Sequence, residues 1–196
     1  MNFLFDKHPM LNVLNWQEEA NEAGIRNSNA VSLATVDLKG QPQVRMVLIK
    51  EITENGLVFY SNSNSKKGNA LKDNNLAAIC FYWDKIGKQI RVEGSVIEID
   101  DDASNKYFNS RSRSSQIGAW ASDQSQPLES RDTLEERFNS FNKKYSNLNV
   151  PRPFYWKGYR LSPKKIEFWL ERESRLHDRI EYTIDGLSWK HQFLYP

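Results

Sequence analysis

The chain has 196 residues, of which 39% are hydrophobic and 27% charged, with a formal net charge of +2. That length suits one packed domain over residues 1–196 rather than two, and the near-balanced charge gives no global attraction to nucleic acid or to a membrane surface. A single cysteine excludes a disulfide framework, and three histidines without ligand-like spacing give no metal site.

Residues 1–9 read as an N-terminal arm. They lack the long apolar core and small-residue cleavage site of a signal peptide, and no apolar run approaches the ~20 residues of a membrane span, so a cytoplasmic protein is expected. Residues 10–25 carry a loose helical stripe of Leu11, Val13, Leu14, Ala20 and Ala23, with Gly24 as a stop. Residues 29–38, 43–51 and 57–62 read as strands joined by Lys39-Gly-Gln-Pro42 and Glu54-Asn-Gly56, an antiparallel meander. Residues 64–73 read as a short helix entered through Asn64 or Ser65. Two strands follow at 76–83 and 88–99. The first holds Cys80 in an apolar run, where a core position is expected.

Acidic residues open a helix over 100–110, residues 111–125 are polar, and residues 128–145 form a helix with Leu134, Phe138 and Phe141 in register. Four closing strands are expected at 154–161, 165–170, 176–184 and 187–194, with Asp185-Gly186 as a turn. Strands outnumber helices and connect locally. A mainly β fold results, an antiparallel barrel with packed helices.

Short basic clusters stand at element ends: Arg45 with Lys50, Lys66-Lys67, Arg111 with Arg113, and Arg175, His177 and Arg179. Hydroxyls and amides accompany them, namely Ser61, Ser65, Gln89, Ser115, Gln124 and Ser125. Cations with neutral donors and a helix N-terminus make phosphate sites, and there are enough groups for two phosphates. Six Trp, eight Tyr and ten Phe also suit stacking on flat ligands. Arg45 and Lys50 have opposite strand parity, so either a bulge intervenes or they serve different ligands. Read as a strand, residues 171–182 place Arg175, His177 and Arg179 on one face. Glycine-rich phosphate loops and a Gly-x-Ser-x-Gly elbow are absent.

Arg45-Met-Val-Leu-Ile-Lys50, Phe59-Tyr-Ser-Asn62, Ser65-Lys-Lys67, Lys88-Gln89, Tyr107-Phe-Asn-Ser-Arg111, Ser115-Gln-Ile-Gly-Ala-Trp120, Gln124-Ser125, Glu167-Phe-Trp169 and Arg175-Leu-His-Asp-Arg179 occur in this order. Together they resemble the pyridoxine/pyridoxamine 5'-phosphate oxidases, from about residue 29 to the C-terminus. The resemblance implies an FMN-binding split β-barrel, working as a homodimer with FMN between subunits. It implies oxidation of pyridoxamine or pyridoxine 5'-phosphate to pyridoxal 5'-phosphate, with O2 as acceptor and H2O2 as product.

By motif match, Arg45, Lys50, Tyr60, Ser61, Lys66, Lys67, Gln89, Gln124, Ser125, Trp169 and Arg179 would bind FMN. Lys50, Tyr107, Arg111 and Ser115 would hold the substrate phosphate. Arg175 and His177 would lie over the substrate ring as the catalytic pair. The alternatives are another flavin oxidoreductase on the same barrel, or a non-enzymatic binder of flavin or pyridoxal phosphate. The chain departs from the family pattern at Phe193 and Lys66, each in place of Arg, at Ser112 in place of Pro, and at Lys157 in place of Gly.

Overall fold

The computed structural model describes residues 3–5 and 7–196. Helix α1 (Pro9–Glu22) begins inside the expected arm, because Pro9 supplies a preset φ at the first helical position. It ends where the Ile25 N–H returns to the Ala20 carbonyl at 3.1 Å. Strands β1 (Ala30–Val36) and β2 (Pro42–Leu48) form a hairpin. The expected strand over 43–51 is in fact two, because β2 stops at Leu48 and β3 (Glu51–Thr53) pairs instead with β4 (Gly56–Asn62). The parity conflict between Arg45 and Lys50 is thereby resolved: they lie on different segments.

Helix α2 (Lys66–Asp73) is capped by Ser65, not Asn64. Strands β5 (Leu76–Trp83) and β6 (Lys88–Glu98) follow. Cys80 is half-buried, on the opposite face from buried Ile79 and Phe81, so the expected core position is corrected. Helix α3 (Asp101–Ser110) is capped by Asp100, α4 (Arg113–Ala121) by Ser112 and α5 (Arg131–Lys144) by Ser130.

The two strands expected over 154–170 are one, β7 (Trp156–Leu170). Pro163 does not end it, since a bulge at Glu93/Gly94 of β6 accommodates the proline. A Cβ on Gly94 would fall 2.0 Å from the Ser162 carbonyl oxygen, so only glycine allows that approach. Strands β8 (Asp178–Asp185) and β9 (Ser188–Leu194) close the chain.

The sheet is antiparallel throughout, in the order β2-β1-β5-β6-β7-β4-β3. The expected meander of the first three strands is therefore corrected, since β2 and β4 sit far apart on this path. They approach each other only because the sheet curls into a split barrel. β4 pairs with the first half of β7 and β8 with the second. Inside the curl, Leu33, Phe59, Phe81, Ile90, Leu161 and Phe168 pack against Val13 and Trp16 of α1. A second cluster, built on Phe108, Ile117, Tyr145 and Trp156, fastens α3, α4 and α5 to the start of β7. No helix among the described residues is long and apolar enough to cross a membrane.

Candidate active site

The first half of the site grows from β4 and α2. Lys67 lies on the buried side of α2, only 7% exposed. Its Nζ donates to Ser61 Oγ at 3.0 Å and to Ser65 Oγ at 3.3 Å. Both partners are neutral. Burial, with the nearby Arg45 charge adding to it, pulls the Lys67 ammonium down to about 8. The helix sits close because residue 68 is glycine: a Cβ there would come 2.2 Å from the Ser63 carbonyl oxygen.

Arg45 on β2 donates to Thr35 Oγ1 (2.7 Å), to the Leu33 and Gln43 carbonyls, and to Gln43 Oε1 (3.2 Å). Burial lowers its pKa from the usual arginine value. Arg45, Lys66, Lys67, Gln124 and Ser125 line one cleft of about 610 Å³. Ser61 donates to Gln124 Oε1 at 3.4 Å, tying the loop after α4 to β4.

A second cleft, of about 360 Å³, shares Gln124 and is lined by Tyr60, Ser61, Arg111, Ser115 and Trp156 among others. Tyr60 stacks on Tyr107 at 4.2 Å and on Trp156 at 5.0 Å, with the planes within 12°. The Arg111 guanidinium lies 5.0 Å from the Trp156 ring centroid. Its Nη1 is buried without a hydrogen-bond partner, and burial lowers its pKa. A buried, unsatisfied guanidinium nitrogen is uncommon in a native fold. Ser115 Oγ accepts from Ser112 Oγ at 2.8 Å.

These cations share a further property. Among the described residues, Arg45, Lys50, Lys66, Lys67, Arg111 and Arg175 join no salt bridge. Of these, Lys67 is buried and Arg45 and Arg111 are half-buried, and burying a charge without a counterion is costly. The donor set therefore fits an anion with several oxygens.

The second half of the site is a row across the sheet. Gln89 on β6 faces Trp169 on β7, and Trp169 faces Arg179 on β8. All three are half-buried, while the next row, Ile90, Phe168 and Ile180, is buried in the core. Arg179 donates to Glu167 Oε1 at 2.8 Å, and this bond raises its pKa.

The expected strand face of Arg175, His177 and Arg179 is corrected. Only Arg179 is on β8. Arg175 ends a 3-10 turn (Glu173–Arg175), with Ser174 at φ 56° and Arg175 at φ 63°. His177 follows in a loop, where its Nδ1 accepts from the Arg172 N–H at 3.1 Å and its ring lies 4.5 Å from Trp169. Period-2 alternation breaks at the turn, so His177 and Arg179 stand beside Trp169 while Arg175 lies on the turn that precedes them.

The structure does not bring all the candidates together in one chain. Trp156 and Trp169 stand near opposite ends of β7, about 40 Å apart along the strand at ~3.3 Å per residue. Lys50 is exposed and borders a different cleft, with Asn29 and Glu51. Trp156, Thr35 and Glu167 contribute contacts that were assigned no role from the sequence. The aromatic run Phe154-Tyr-Trp156 was the available signal for the first. Of the departures from the family pattern, Ser112 caps α4, Lys157 pairs with Asp101 at 3.1 Å, and Phe193 is exposed on β9 near Phe5.

A model of the family described as pyridoxamine 5'-phosphate oxidase matches residues 17–145. A second, described as the pyridoxine 5'-phosphate oxidase C-terminal dimerisation region, matches residues 156–196. The chain belongs to the pyridoxamine 5'-phosphate oxidase family. It is 43% identical to the pyridoxine/pyridoxamine 5'-phosphate oxidase of Zymomonas mobilis, over 97% of this chain and 98% of that one. It is 44% identical to the enzyme of the same name from Rhodospirillum rubrum, over the whole of both. Among solved structures, PhzG from Burkholderia lata 383, in complex with tetrahydrophenazine-1-carboxylic acid, superposes with a TM-score of 0.92. It is 30% identical and covers 100% of this chain and 99% of that one. A pyridoxamine 5'-phosphate oxidase-related, FMN-binding protein from Nostoc punctiforme shares the fold, at a TM-score of 0.76 and 17% identity, covering 96% of this chain and 98% of that one. The stretches Arg111–Trp120 and Arg175–Arg179, two of those that carry the resemblance, fall on different halves of the site.

Proposed function

We propose that the chain is a pyridoxal 5'-phosphate synthase, an FMN-dependent oxidase of pyridoxamine and pyridoxine 5'-phosphate that works in the cytoplasm as a homodimer of single-domain subunits. The observation that carries this reading is a pair of cations with buried nitrogens and no counterion. Lys67 meets only hydroxyls, and Arg111 keeps a buried nitrogen without a partner. Two phosphate-bearing ligands, cofactor and substrate, answer those two vacant charges. The family membership supplies the chemistry that goes with them.

When bound, FMN would supply the two-electron oxidant, restored by O2 with release of H2O2. Its phosphate would be held by Lys67, Lys66, Ser61 and Arg45, with Gln124 and Ser125 at the cleft wall. Lys50 and Tyr60 would complete that side. The row Gln89, Trp169 and Arg179 would meet the flavin ring. Lys50, Tyr107, Arg111 and Ser115 would take the substrate phosphate. Arg175 and His177 would cover the substrate ring. Because His177 Nδ1 accepts from the Arg172 N–H, its Nε2–H would be the edge that donates to the substrate hydroxyl. Positioning by these groups, rather than proton transfer alone, is the chain's main contribution to rate.

The dimer follows from the spacing. The two halves lie toward opposite ends of β7, beside different neighbours, β4 and β8. A second copy supplies the missing half to each site. Edge strand β2 also exposes Val44, Met46 and Leu48, an apolar stripe that an isolated edge would leave open to aggregation. The C-terminal match to a dimerisation region supports the same arrangement.

A flavin oxidoreductase acting on an unphosphorylated substrate, or a passive binder of flavin alone, would have no use for the Arg111 cleft, and a passive binder of pyridoxal phosphate would show no turnover. The test is direct. Purified protein should show a flavin spectrum, bleach on anaerobic addition of pyridoxine 5'-phosphate, and release H2O2 when air is admitted. Bleaching by other donors alone would refute the substrate assignment, and a protein that takes up no FMN would refute the whole reading.

A further inference from the structure

Behind the row Gln89–Trp169–Arg179 stands a second one. Glu167, two residues back along β7, is 5% exposed and pairs in register with Arg91 on β6 and Glu181 on β8. Its Oε1 accepts from Arg179 Nε at 2.8 Å, and its Oε2 accepts from Arg91 Nη1 at 3.0 Å. Arg91 reaches on to Glu93 at 3.2 Å. The chain Glu93–Arg91–Glu167–Arg179 therefore alternates in sign and sums to zero. At its far end, Arg179 Nη1 donates to the Tyr195 carbonyl at 2.8 Å. Two of the three guanidinium nitrogens are committed, which fixes the plane of the group. Nη2 makes no hydrogen bond among the described residues.

We propose that Glu167 is a positioning residue: it fixes Arg179 so that Nη2 is presented to the flavin, and it tempers the positive charge that the flavin meets there. This rests on the reading that Arg179 faces FMN. A carboxylate shared between two guanidiniums holds both in geometry that neither would keep alone. It also sets the local field, because a neutral cluster ending in a guanidinium is less electropositive than an unpaired one. The cationic end favours the anionic reduced flavin, and Glu167 limits how strongly.

Three variants, with the full-length dimer as reference, decide it. FMN affinity is read by flavin fluorescence quenching on apoprotein, and the flavin reduction potential by dye equilibration. Glu167→Ala should weaken FMN by roughly tenfold, Arg179→Ala by a similar factor, and the double variant by no more than either alone. Glu167→Gln keeps an acceptor oxygen and removes the charge. It should bind FMN within about twofold of wild type while the reduction potential rises. Independent, multiplying losses in the double variant, or an unmoved potential in Glu167→Gln, would overturn the proposal. If Glu167→Ala runs as a monomer by light scattering, the Gln variant alone decides. Loss of affinity in Arg179→Ala with none in Glu167→Ala would leave the FMN reading intact and remove only the positioning role. Wild type that binds no FMN would remove both.

Discussion

The two halves of the site treat positive charge in opposite ways. Around β4, α2 and α4, Lys67 is buried and Arg111 half-buried, and neither meets a carboxylate; Lys67 has only Ser61 and Ser65. Around β6, β7 and β8 the cation is neutralised in place, as Arg179 is by Glu167. The first arrangement is costly in the free protein and is relieved by an incoming anion. The second is already satisfied and changes little on binding. Phosphate recognition uses the stored electrostatic cost, whereas contact with a flat, weakly charged ring needs orientation. Stability and affinity should therefore pull apart in the first half and move together in the second.

Lys67→Met gives the largest effect and the plainest break of this contrast. FMN affinity should fall by roughly 1,000-fold, as for truncation of one partner of a desolvated charge pair. The apoprotein should nevertheless melt at a higher temperature, because a buried unpaired ammonium is replaced by an apolar chain of similar length. Fluorescence quenching and thermal melts of the same sample read both. A variant that loses affinity and stability together would show that the Lys67 charge is not a stored cost.

Next in size is an exchange of properties between the halves. Arg175→Ala should lower kcat by roughly 100-fold while FMN affinity stays within about twofold, since Arg175 is assigned to the substrate ring. Arg45→Ala should do the reverse. Equal losses of turnover and FMN affinity in both variants would dissolve the division.

The pH dependence sharpens the same point. The Lys67 pKa in the folded chain is depressed to about 8. Between about 8 and the ordinary lysine value near 10.5, the unfolded chain holds a proton that the folded chain has released. Apoprotein stability from this group therefore rises with pH across that window. FMN phosphate needs the ammonium, so its affinity should fall as pH rises past about 8, by at most about tenfold per pH unit. Lys67→Arg should flatten the decline, and an unchanged slope in that variant would assign the titration elsewhere.

Much of the site was legible in the sequence because its parts are contiguous motifs. Ser65-Lys-Lys67 read as a capped helix start with cations, and it is one. What stayed hidden was cross-strand. Nothing in the sequence aligns Gln89, Trp169 and Arg179 into one row, since that alignment comes from the β6–β7–β8 register. Nor could sequence separate Arg45 from Arg179, although only the second has a buried carboxylate beside it. The strands expected at 154–161 and 165–170 are one, because a bulge opposite Gly94 carries β7 past Pro163. Helix α4 was missed because its stretch is polar, with only Ile117 and Ala121 buried. The Arg175 turn was misread for a different reason. Its charged alternation imitates a strand, and its left-handed residues are Ser and Arg, not the glycine that announces positive φ.

That turn gives the smallest expected effect. Ser174 (φ 56°) and Arg175 (φ 63°) both occupy a region that non-glycine residues adopt at a cost of roughly 1–2 kcal/mol each. The turn is held from its flanks, by the Arg172 Nε bond to Asp178 Oδ2 at 2.7 Å and by the Arg172 N–H bond to His177 Nδ1. Ser174→Gly should stabilise the protein by about 0.5–1 kcal/mol in denaturant melts, with the turn geometry kept. Because glycine also frees the neighbouring Arg175, kcat should drop by about two- to threefold while FMN affinity stays the same. A gain in stability with undiminished kcat would mean that the strained backbone plays no part in aiming Arg175. A loss of stability would mean that the flanking bonds, not the backbone conformation, set the cost of this turn.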